Sequence, residues 1–245
     1  MHIKETYSTN TLLKEALASP MEWTELMREP LPYIRTDYQT AGRGQMGNSW
    51  ESERGKNILL SILIQKPDIR VEEQFVLSML FPLAVIEAVE QMTGLKGLKI
   101  KWSNDIYFEE SKLAGILIEN SLNAGLIQSA ILGIGLNVNQ TEWHSDAPNP
   151  ISLKQITGRD WDVQLLTDSI LNHLSQRLKN IDKIELKQSY LQRLLSYGEW
   201  KRFADFNGEF EAQIVDVDSF GRLVLNDRNG KTRVYNFKEI KYLFN

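Results

Sequence analysis

The sequence of 245 residues predicts an α+β fold, in which a mixed sheet is backed by helices and followed by a small all-β module. Two segments, 74–92 and 162–178, repeat apolar residues with the period of a helix. Shorter segments between them are continuously apolar, or alternate apolar and polar residues as strands do. After Gly198 the chain contains only short strand-like runs separated by turn residues. We therefore expect two domains, residues 1–196 and residues 197–245.

Helices are predicted at 11–17, 74–92, 162–178 and 186–195. The first follows Ser8-Thr9-Asn10, and on their own these residues are best interpreted as a helix cap, because their side chains accept bonds from unpaired backbone N–H groups. The second ends at Gly94 and contains Pro82, which is expected to bend it.

Strands are predicted at 33–37, 57–65, 98–102, 113–118 and 126–134, with a turn at 123–125 joining the last two. The segment 57–65 is an almost continuous apolar run, which is typical of a buried strand. The segment 98–102 alternates leucine, isoleucine and tryptophan with lysine. If it continues as one strand, Lys101, Ser103 and Asp105 share a face.

The C-terminal module contains predicted strands at 210–217, 222–226 and 231–235. Phe220-Gly221 and Asn229-Gly230 separate them, and Asn-Gly is a strong hairpin signal. Its small size and its spacing favour an SH3-like barrel.

The composition narrows the class of protein. The formal net charge of -4 disfavours nucleic-acid binding, which needs a basic face. There are no cysteines, so thiolate chemistry and disulfides are excluded. The three histidines, His2, His144 and His173, lack metal-ligand spacing. No signal peptide and no run of membrane-span length is apparent, so we expect a cytoplasmic protein that binds no membrane.

A glycine-rich loop contains Gly42, Gly44 and Gly47 in a G-R-G-x-x-G pattern. A dinucleotide-binding loop of this type must open a helix, whereas here a polar, glycine-containing segment follows, so that interpretation fails. The glycines allow close approach of a ligand to the backbone, and Arg43 can pair with a phosphate or carboxylate. An ordinary surface loop with a chance arginine explains the loop, taken alone, equally well.

Charged residues follow the loop in the chain. Lys101 and Asp105 together could hold a phosphate and its Mg²⁺, or could form a surface ion pair. Lys112 could stabilise a transferring α-phosphate, or could extend its stem along apolar surface. Gly133 and Gly135 interrupt a strand, which marks a bulge or the close approach of a ligand. Asn137 and Asn139 could each bind an adenine edge.

The order and spacing of these motifs resemble those of the biotin protein ligase family over nearly the whole chain. The matching segments are Ser8-Thr9-Asn10, Tyr38-Gln39-Thr40-Ala41-Gly42-Arg43-Gly44, Trp50, Gly55 with Asn57, Lys101-Trp102-Ser103-Asn104-Asp105, Lys112-Leu-Ala-Gly115-Ile-Leu-Ile-Glu119 and Gly133-Ile-Gly135-Leu-Asn137-Val-Asn139. The resemblance implies a class II synthetase-like catalytic domain with an SH3-like C-terminal domain. It also implies that biotin and ATP, with Mg²⁺, form biotinyl-5′-AMP, and that biotin then passes to a lysine of a biotin carboxyl carrier protein.

The resemblance assigns roles to individual residues. The biotin-binding set is Ser8, Thr9, Asn10, Gln39, Gly42, Arg43, Gly44, Gln45, Lys112, Gly115 and Gly133. The ATP-binding set is Trp50, Asn104, Asp105 and Asn137, with Asp105 also a candidate Mg²⁺ ligand. Lys112, Arg43 and Lys101 are the candidate catalytic residues. Only seven residues precede Ser8, so we expect a ligase without a DNA-binding domain, either a monomer or a homodimer.

Three positions depart from the family pattern. Relatives often carry arginine where this chain has Gln45 and Asn48, so up to two positive charges near the adenylate are missing. We therefore hypothesise that Gln45→Arg slows release of the adenylate, unless Gln45 has its own role in the pocket. Ser103 replaces a common proline and restores a backbone N–H, so little functional change is expected.

Two other functions compete with this one. Lipoate or octanoate ligases share the catalytic fold but usually carry an R-R-x-x-G-G-G-type segment, which is absent from this sequence. A non-enzymatic binding module is the second alternative. Pyrophosphate release with biotin, but not with lipoate, would separate all three.

Overall fold

The computed structural model of the protein describes residues 1–145 and 149–243. The last two residues of the predicted C-terminal domain therefore lie outside the described residues. The helices are α1 (Thr9–Ala18), α2 (Thr24–Arg28), α3 (Phe75–Thr93), α4 (Leu153–Thr157), α5 (Val163–Lys179) and α6 (Lys183–Arg193). The strands are β1 (His2–Ile3), β2 (Tyr33–Thr36), β3 (Ile58–Gln65), β4 (Leu98–Lys101), β5 (Asp105–Phe108), β6 (Ser111–Asn123), β7 (Leu126–Leu136), β8 (Trp200–Asp205), β9 (Gly208–Val217), β10 (Leu223–Asp227), β11 (Thr232–Tyr235) and β12 (Lys241–Leu243).

A seven-stranded sheet forms the centre of the molecule, in the order β1-β2-β3-β7-β6-β5-β4. Only β1 and β2 are parallel, and the other neighbours are antiparallel, so the predicted mixed sheet is confirmed. Strands β3 and β7 lie in the interior and both faces of β3 are covered. This explains the continuous apolar run predicted there.

One face of the sheet packs on α3, with α5 and α6 beside it. The segment Val71–Thr93, with a mean hydropathy of 1.6, is long and apolar enough to cross a membrane by length and composition alone. However, 78% of an apolar 18-residue stretch of this segment is buried inside the protein, as expected of a core helix. The helix continues through Pro82 and ends at Gly94, whose φ of 74° is left-handed.

The other face of the sheet is covered at one end by α1. Its residues Leu13 and Ala16 pack in a separate cluster with Ile34, Leu63 and Ile131 of the sheet. The helix begins at Thr9, earlier than predicted, with Ser8 at the N-cap position. The hydroxyl of Ser8 makes no capping hydrogen bond, so the predicted cap is wrong in its side-chain chemistry.

Several element boundaries differ from the prediction for local reasons. Helix α6 begins at Lys183 because the Asp182 carboxylate caps it through the N–H groups of Ile184 and Glu185. Strands β1, β5, β8 and β12 were not predicted. Strands β8 and β12 contain charged residues, and their apolar and polar residues do not alternate regularly, so they lack the sequence pattern of a strand.

The C-terminal strands form an antiparallel five-stranded sheet in the order β11-β10-β9-β8-β12. Its buried residues, including Phe203 and Leu223, belong to the same continuous apolar core as α3. The indole Nε1 of Trp102 donates to the carbonyl of Gly221 at 3.0 Å and joins this sheet to the turn between β4 and β5. The C-terminal sheet is therefore packed directly behind that turn.

Candidate active site

Lys101 and Asp105 face each other across a hairpin. Strand β4 ends at Lys101, the chain turns through residues 102–104, and Asp105 begins β5 as the direct cross-strand partner of Lys101. The prediction that Lys101, Ser103 and Asp105 alternate along one strand is therefore wrong. Lys101 and Asp105 still share a face, because directly opposed residues in an antiparallel pair project to the same side.

A β-bulge brings Lys112 to the same face. Ala114 lies opposite Ile106, but Lys112 lies opposite Tyr107, so Leu113 is an extra residue in the pairing of β5 with β6. Without this bulge, the alternation of side chains would place Lys112 on the face of Ala114, toward the helices. A bulge re-aims side chains next to functional sites. Here it places Lys112 and Gly115, three residues apart, on the same cavity.

The result is a cationic end of the cavity. The Lys112 Nζ lies 2.6 Å from Asp105 Oδ2 and 5.6 Å from the ring centre of Trp50. The Lys101 Nζ donates to the Tyr107 hydroxyl at 3.2 Å. Burial lowers the pKa of the Lys101 ammonium, and the neighbouring Lys112 lowers it further, whereas Asp105 opposes both effects. Two ammonium groups and one carboxylate leave this end net positive, which suits an anionic ligand.

An uncharged polar end lies at the start of α1. Thr9 and Asn10 are buried, and the hydroxyl of Ser61 in β3 contacts both side chains: it donates to Asn10 Oδ1 and lies 2.7 Å from the Thr9 hydroxyl. Gln39 Oε1 accepts from the Thr9 N–H at 2.8 Å and from the Thr9 hydroxyl at 3.1 Å. The network supplies fixed donors and acceptors without net charge, as recognition of a neutral polar ring requires.

Three glycines make room for protein side chains rather than for a ligand alone. A Cβ on Gly133 would lie 2.2 Å from Asn10 Oδ1. A Cβ on Gly135 would lie 2.2 Å from Trp50 Cε2, and one on Gly115 would lie 2.7 Å from Trp50 Cζ3. The glycines in β6 and β7 therefore let Asn10 and Trp50 lie directly on the sheet at the floor of the cavity.

The glycine loop is held against β6. The Arg43 guanidinium donates to Glu119 Oε1 at 3.0 Å and to the Thr11 hydroxyl at 3.2 Å. Gln45 Nε2 donates to Asn104 Oδ1 at 2.9 Å and to the Ile116 carbonyl at 3.1 Å. The loop is thus attached to β6 by the ion pair of Arg43 with Glu119 and by the side-chain amide of Gln45.

A second segment, 140–145, closes the cavity from another side. The Glu51 carboxylate accepts from the backbone N–H groups of His144 and Ser145, each at 2.8 Å. Burial raises the pKa of Glu51, but the hydrogen bonds from Ser145 and His144 outweigh it and leave the pKa below its usual value. The ionised carboxylate therefore holds this segment beside the cavity.

The cavity encloses about 700 Å³, within the size range of small-molecule sites. Its wall includes these predicted residues: Ser8, Thr9, Asn10, Gln39, Arg43, Gly44, Gln45, Trp50, Lys101, Asp105, Lys112, Gly115, Gly133 and Asn137. Gly42 and Asn104 lie behind the wall: a Cβ on Gly42 would meet the Trp50 carbonyl at 2.7 Å, and Asn104 donates to the Ile116 carbonyl at 3.1 Å.

Three buried polar atoms in the wall have no hydrogen-bond partner within residues 1–145 and 149–243. They are Asn137 Oδ1, Trp50 Nε1 and Trp143 Nε1. Buried polar atoms are normally paired, so a bound ligand is expected to supply the missing donor and acceptor.

Sequence reasoning missed several residues of the site: Ser61, Tyr107, Glu119, Trp143 and Phe237. Ser61 had a signal, because it is the serine inside the apolar run 57–65. Phe237 had none, since it comes from the C-terminal sheet region and reaches the cavity only through the packing of that sheet.

The donor set accommodates a metal only together with a phosphate. No group of three histidine, aspartate or glutamate side chains suited to a metal occurs in the described part of the chain. Asp105 and Glu51 line the cavity, but both oxygens of Glu51 already accept backbone bonds. Mg²⁺ is commonly held by one carboxylate plus phosphate oxygens and water, and Asp105 fits that pattern.

Fold and site together define an α+β protein whose cavity joins a neutral polar end to a cationic end. Residues 4–137 match the family model described as the biotin/lipoate A/B protein ligase family. This match covers more than half of the chain, and the protein belongs to that family.

Individual relatives agree with this assignment. The chain is 31% identical over 210 residues to the bifunctional ligase/repressor BirA of Bacillus subtilis, covering 82% of this chain and 63% of that relative. It is 29% identical over 247 residues to a biotin–[acetyl-CoA-carboxylase] ligase of Mycobacterium tuberculosis, covering 98% of this chain and 88% of the relative. The chain thus spans less than two thirds of the length of the first of these relatives.

A solved structure shows the same fold. The biotin protein ligase from Aquifex aeolicus in complex with biotin and ATP has a TM-score of 0.74 and 26% identity to this chain. The match covers 99% of this chain and 98% of the other. The sheet, its helices and the second antiparallel sheet are therefore common to both proteins.

Proposed function

We propose that this protein is an ATP-dependent ligase that activates biotin as biotinyl-5′-AMP and transfers it to a lysine of a biotin carboxyl carrier protein. The observation that carries the proposal is the cavity in which the neutral network of Thr9, Asn10 and Gln39 adjoins the cationic pair Lys101 and Lys112. A ligand with a polar ring at one end and a carboxylate at the other matches this arrangement.

In the first half of the reaction, a carboxylate oxygen of biotin forms a bond to the α-phosphorus of ATP, and the bond to pyrophosphate breaks. Two anions must approach each other, so the repulsion between them is the main obstacle. Lys112 would lie against the biotin carboxylate and the α-phosphate, with Lys101 on the phosphate side and Arg43 at the loop. Fixed positive charge is worth most where negative charge develops in the transition state.

In the second half, the ε-amine of the carrier lysine attacks the carbonyl carbon of the mixed anhydride. The carbon–oxygen bond to AMP breaks, an amide forms, and the amine loses a proton. The same cavity holds the adenylate, with Trp50 and Asn137 offering their unpaired Nε1 and Oδ1 to the nucleotide and Asn104 supporting them from behind. The remaining proposed biotin contacts are Ser8, Gly42, Gly44, Gln45, Gly115 and Gly133.

Mg²⁺ is proposed to enter with ATP and to be held by Asp105 and the phosphates, where it would neutralise phosphate charge. Asp105 pairs with Lys112. It can therefore respond to phosphate binding by releasing this lysine toward the anion.

The remaining parts of the proposal concern organisation and setting. We assign residues 1–196 to a class II synthetase-like catalytic domain and residues 197–245 to an SH3-like barrel. The protein is proposed to act in the cytoplasm, as a monomer or homodimer, with no nucleic acid or membrane as partner.

Biotin must be distinguished from lipoate by experiment, because both fall within the family description. The protein is incubated with ATP, Mg²⁺ and either biotin or lipoate, and pyrophosphate release is followed. We expect release with biotin only, because lipoate lacks the ureido group that the α1 network would bind. Release with lipoate alone would reassign the substrate, and release with neither would favour a binding module.

The side chain of Gln45 is predicted to control how long the adenylate stays bound. Gln45→Ala removes both bonds of the loop to Asn104 and Ile116, so release of free biotinyl-5′-AMP should become about tenfold faster. Gln45→Arg keeps donors and adds a charge, so release should become slower. Timed trapping of released adenylate measures both, with the exposed Gln128→Ala as a control. If Gln45→Arg releases the adenylate as fast as the wild type, or faster, the proposed effect of the added positive charge is wrong.

A further inference from the structure

Glu119 joins two parts of the cavity that are distant in sequence. It lies on β6, in the same strand as Gly115, and its side chain is 24% exposed. One oxygen, Oε1, accepts from Arg43 of the glycine loop at 3.0 Å. The other, Oε2, accepts from Asn10 Nδ2 at the start of α1 at 2.9 Å and, more weakly, from Arg43 Nη1 at 3.5 Å. One carboxylate therefore serves both the loop and the biotin-binding network.

The amide of Asn10 has a single orientation that satisfies its surroundings. Its Oδ1 accepts from the hydroxyl of Ser61, and its Nδ2 donates to Glu119 and, at 3.5 Å, to the carbonyl of Leu117. The side chain also lies directly on Gly133, which leaves no space to move toward β7. The carboxylate of Glu119 thus determines which side of the Asn10 amide carries the donor.

We infer that Glu119 is a positioning residue that couples closure of the glycine loop over the cavity to the orientation of Asn10, and thereby to the binding of biotin. The inference rests on the proposed function. When the loop closes, Arg43 pairs with Glu119. This ion pair keeps the carboxylate in the orientation in which it accepts from Asn10. Such coupling is reciprocal: biotin bound against Asn10 must favour the closed loop by the same factor.

An isosteric variant separates this role from simple packing. Glu119→Gln keeps the shape of the side chain but offers one acceptor oxygen in place of two. The new N–H group must then face either Arg43 Nη2 or Asn10 Nδ2, so one of the two short bonds of the carboxylate is lost. In the Arg43→Met background, the single oxygen is free to accept from Asn10, and nothing further should be lost.

Calorimetry with biotin alone, in the absence of ATP, provides the first measurement. We expect Glu119→Gln to weaken biotin binding about tenfold in the otherwise wild-type protein, but by less than about twofold in the Arg43→Met background. Glu110→Gln, in the exposed turn between β5 and β6, is the control and should bind as wild type does. Thermal melting of all four variants checks that each is folded.

Trypsin cleavage after Arg43 provides the second measurement, because it reports on the loop and not on activity. Biotin should protect this bond in the wild type, and Glu119→Gln should lose most of that protection. Unchanged biotin affinity, unchanged protection, or equal losses from Glu119→Gln in both backgrounds each overturn the coupling. A wild-type protein that binds no biotin overturns the proposed function, and with it the inference; the two failures are therefore distinguishable.

Discussion

Lys112→Ala should reduce adenylate formation by at least about 100-fold while leaving the protein folded. In the proposed reaction, the Lys112 ammonium, which the bulge in β6 turns toward the cavity, lies against the biotin carboxylate and the α-phosphate. Removal of one preorganised charge or donor at a transition state costs about 3 kcal/mol or more. Biotin-dependent exchange of labelled pyrophosphate into ATP measures this step without requiring a carrier protein.

The control for this loss is Lys179→Ala, at the exposed end of α5, which removes a lysine outside the cavity. It should exchange pyrophosphate at the wild-type rate. Because Lys112 also pairs with Asp105, Lys112→Ala removes the ion-pair partner of this carboxylate, and Lys112→Ala/Asp105→Asn tests whether the carboxylate then inhibits. Near-normal exchange by Lys112→Ala would exclude the catalytic role.

Gly133→Ala and Gly135→Ala should impair different ligands, although they lie two residues apart on β7. A methyl group at Gly133 displaces Asn10, which is held by Ser61 and Glu119, so biotin binding should weaken about 10- to 100-fold. A methyl group at Gly135 displaces the Trp50 indole instead, so nucleotide binding should weaken while biotin binding without ATP stays near wild type. Calorimetry with biotin alone, and separately with a non-hydrolysable ATP analogue, measures both.

Each glycine variant serves as the control for the other, since both add one methyl group to the same strand. Comparable melting temperatures would show that the added methyl group has not unfolded the sheet. If both variants lose biotin affinity equally, the division of the cavity into an Asn10 region and a Trp50 region is wrong.

The main elements could be predicted from the sequence because their signals are local. The helical stripe before Gly94, the apolar run at 57–65 and the turn at 123–125 each depend on a few neighbouring residues. The short helices and β8 were missed, because their residues carry little periodic signal and are held by tertiary contacts. Most residues of the cavity were predicted from the order of the motifs along the chain, because this order is visible in a single sequence.

By itself, the sequence determined the family resemblance, the mixed sheet and most of the residues around the cavity, since these follow from local pattern and motif order. Only the tertiary structure decided how those residues are used. The bulge at Leu113 turns Lys112 toward Asp105, and the hairpin places Asp105 opposite Lys101. Pairing register and side-chain contacts between distant segments, such as that of Glu119 with Asn10, arise from packing of the whole chain, and no local pattern encodes them.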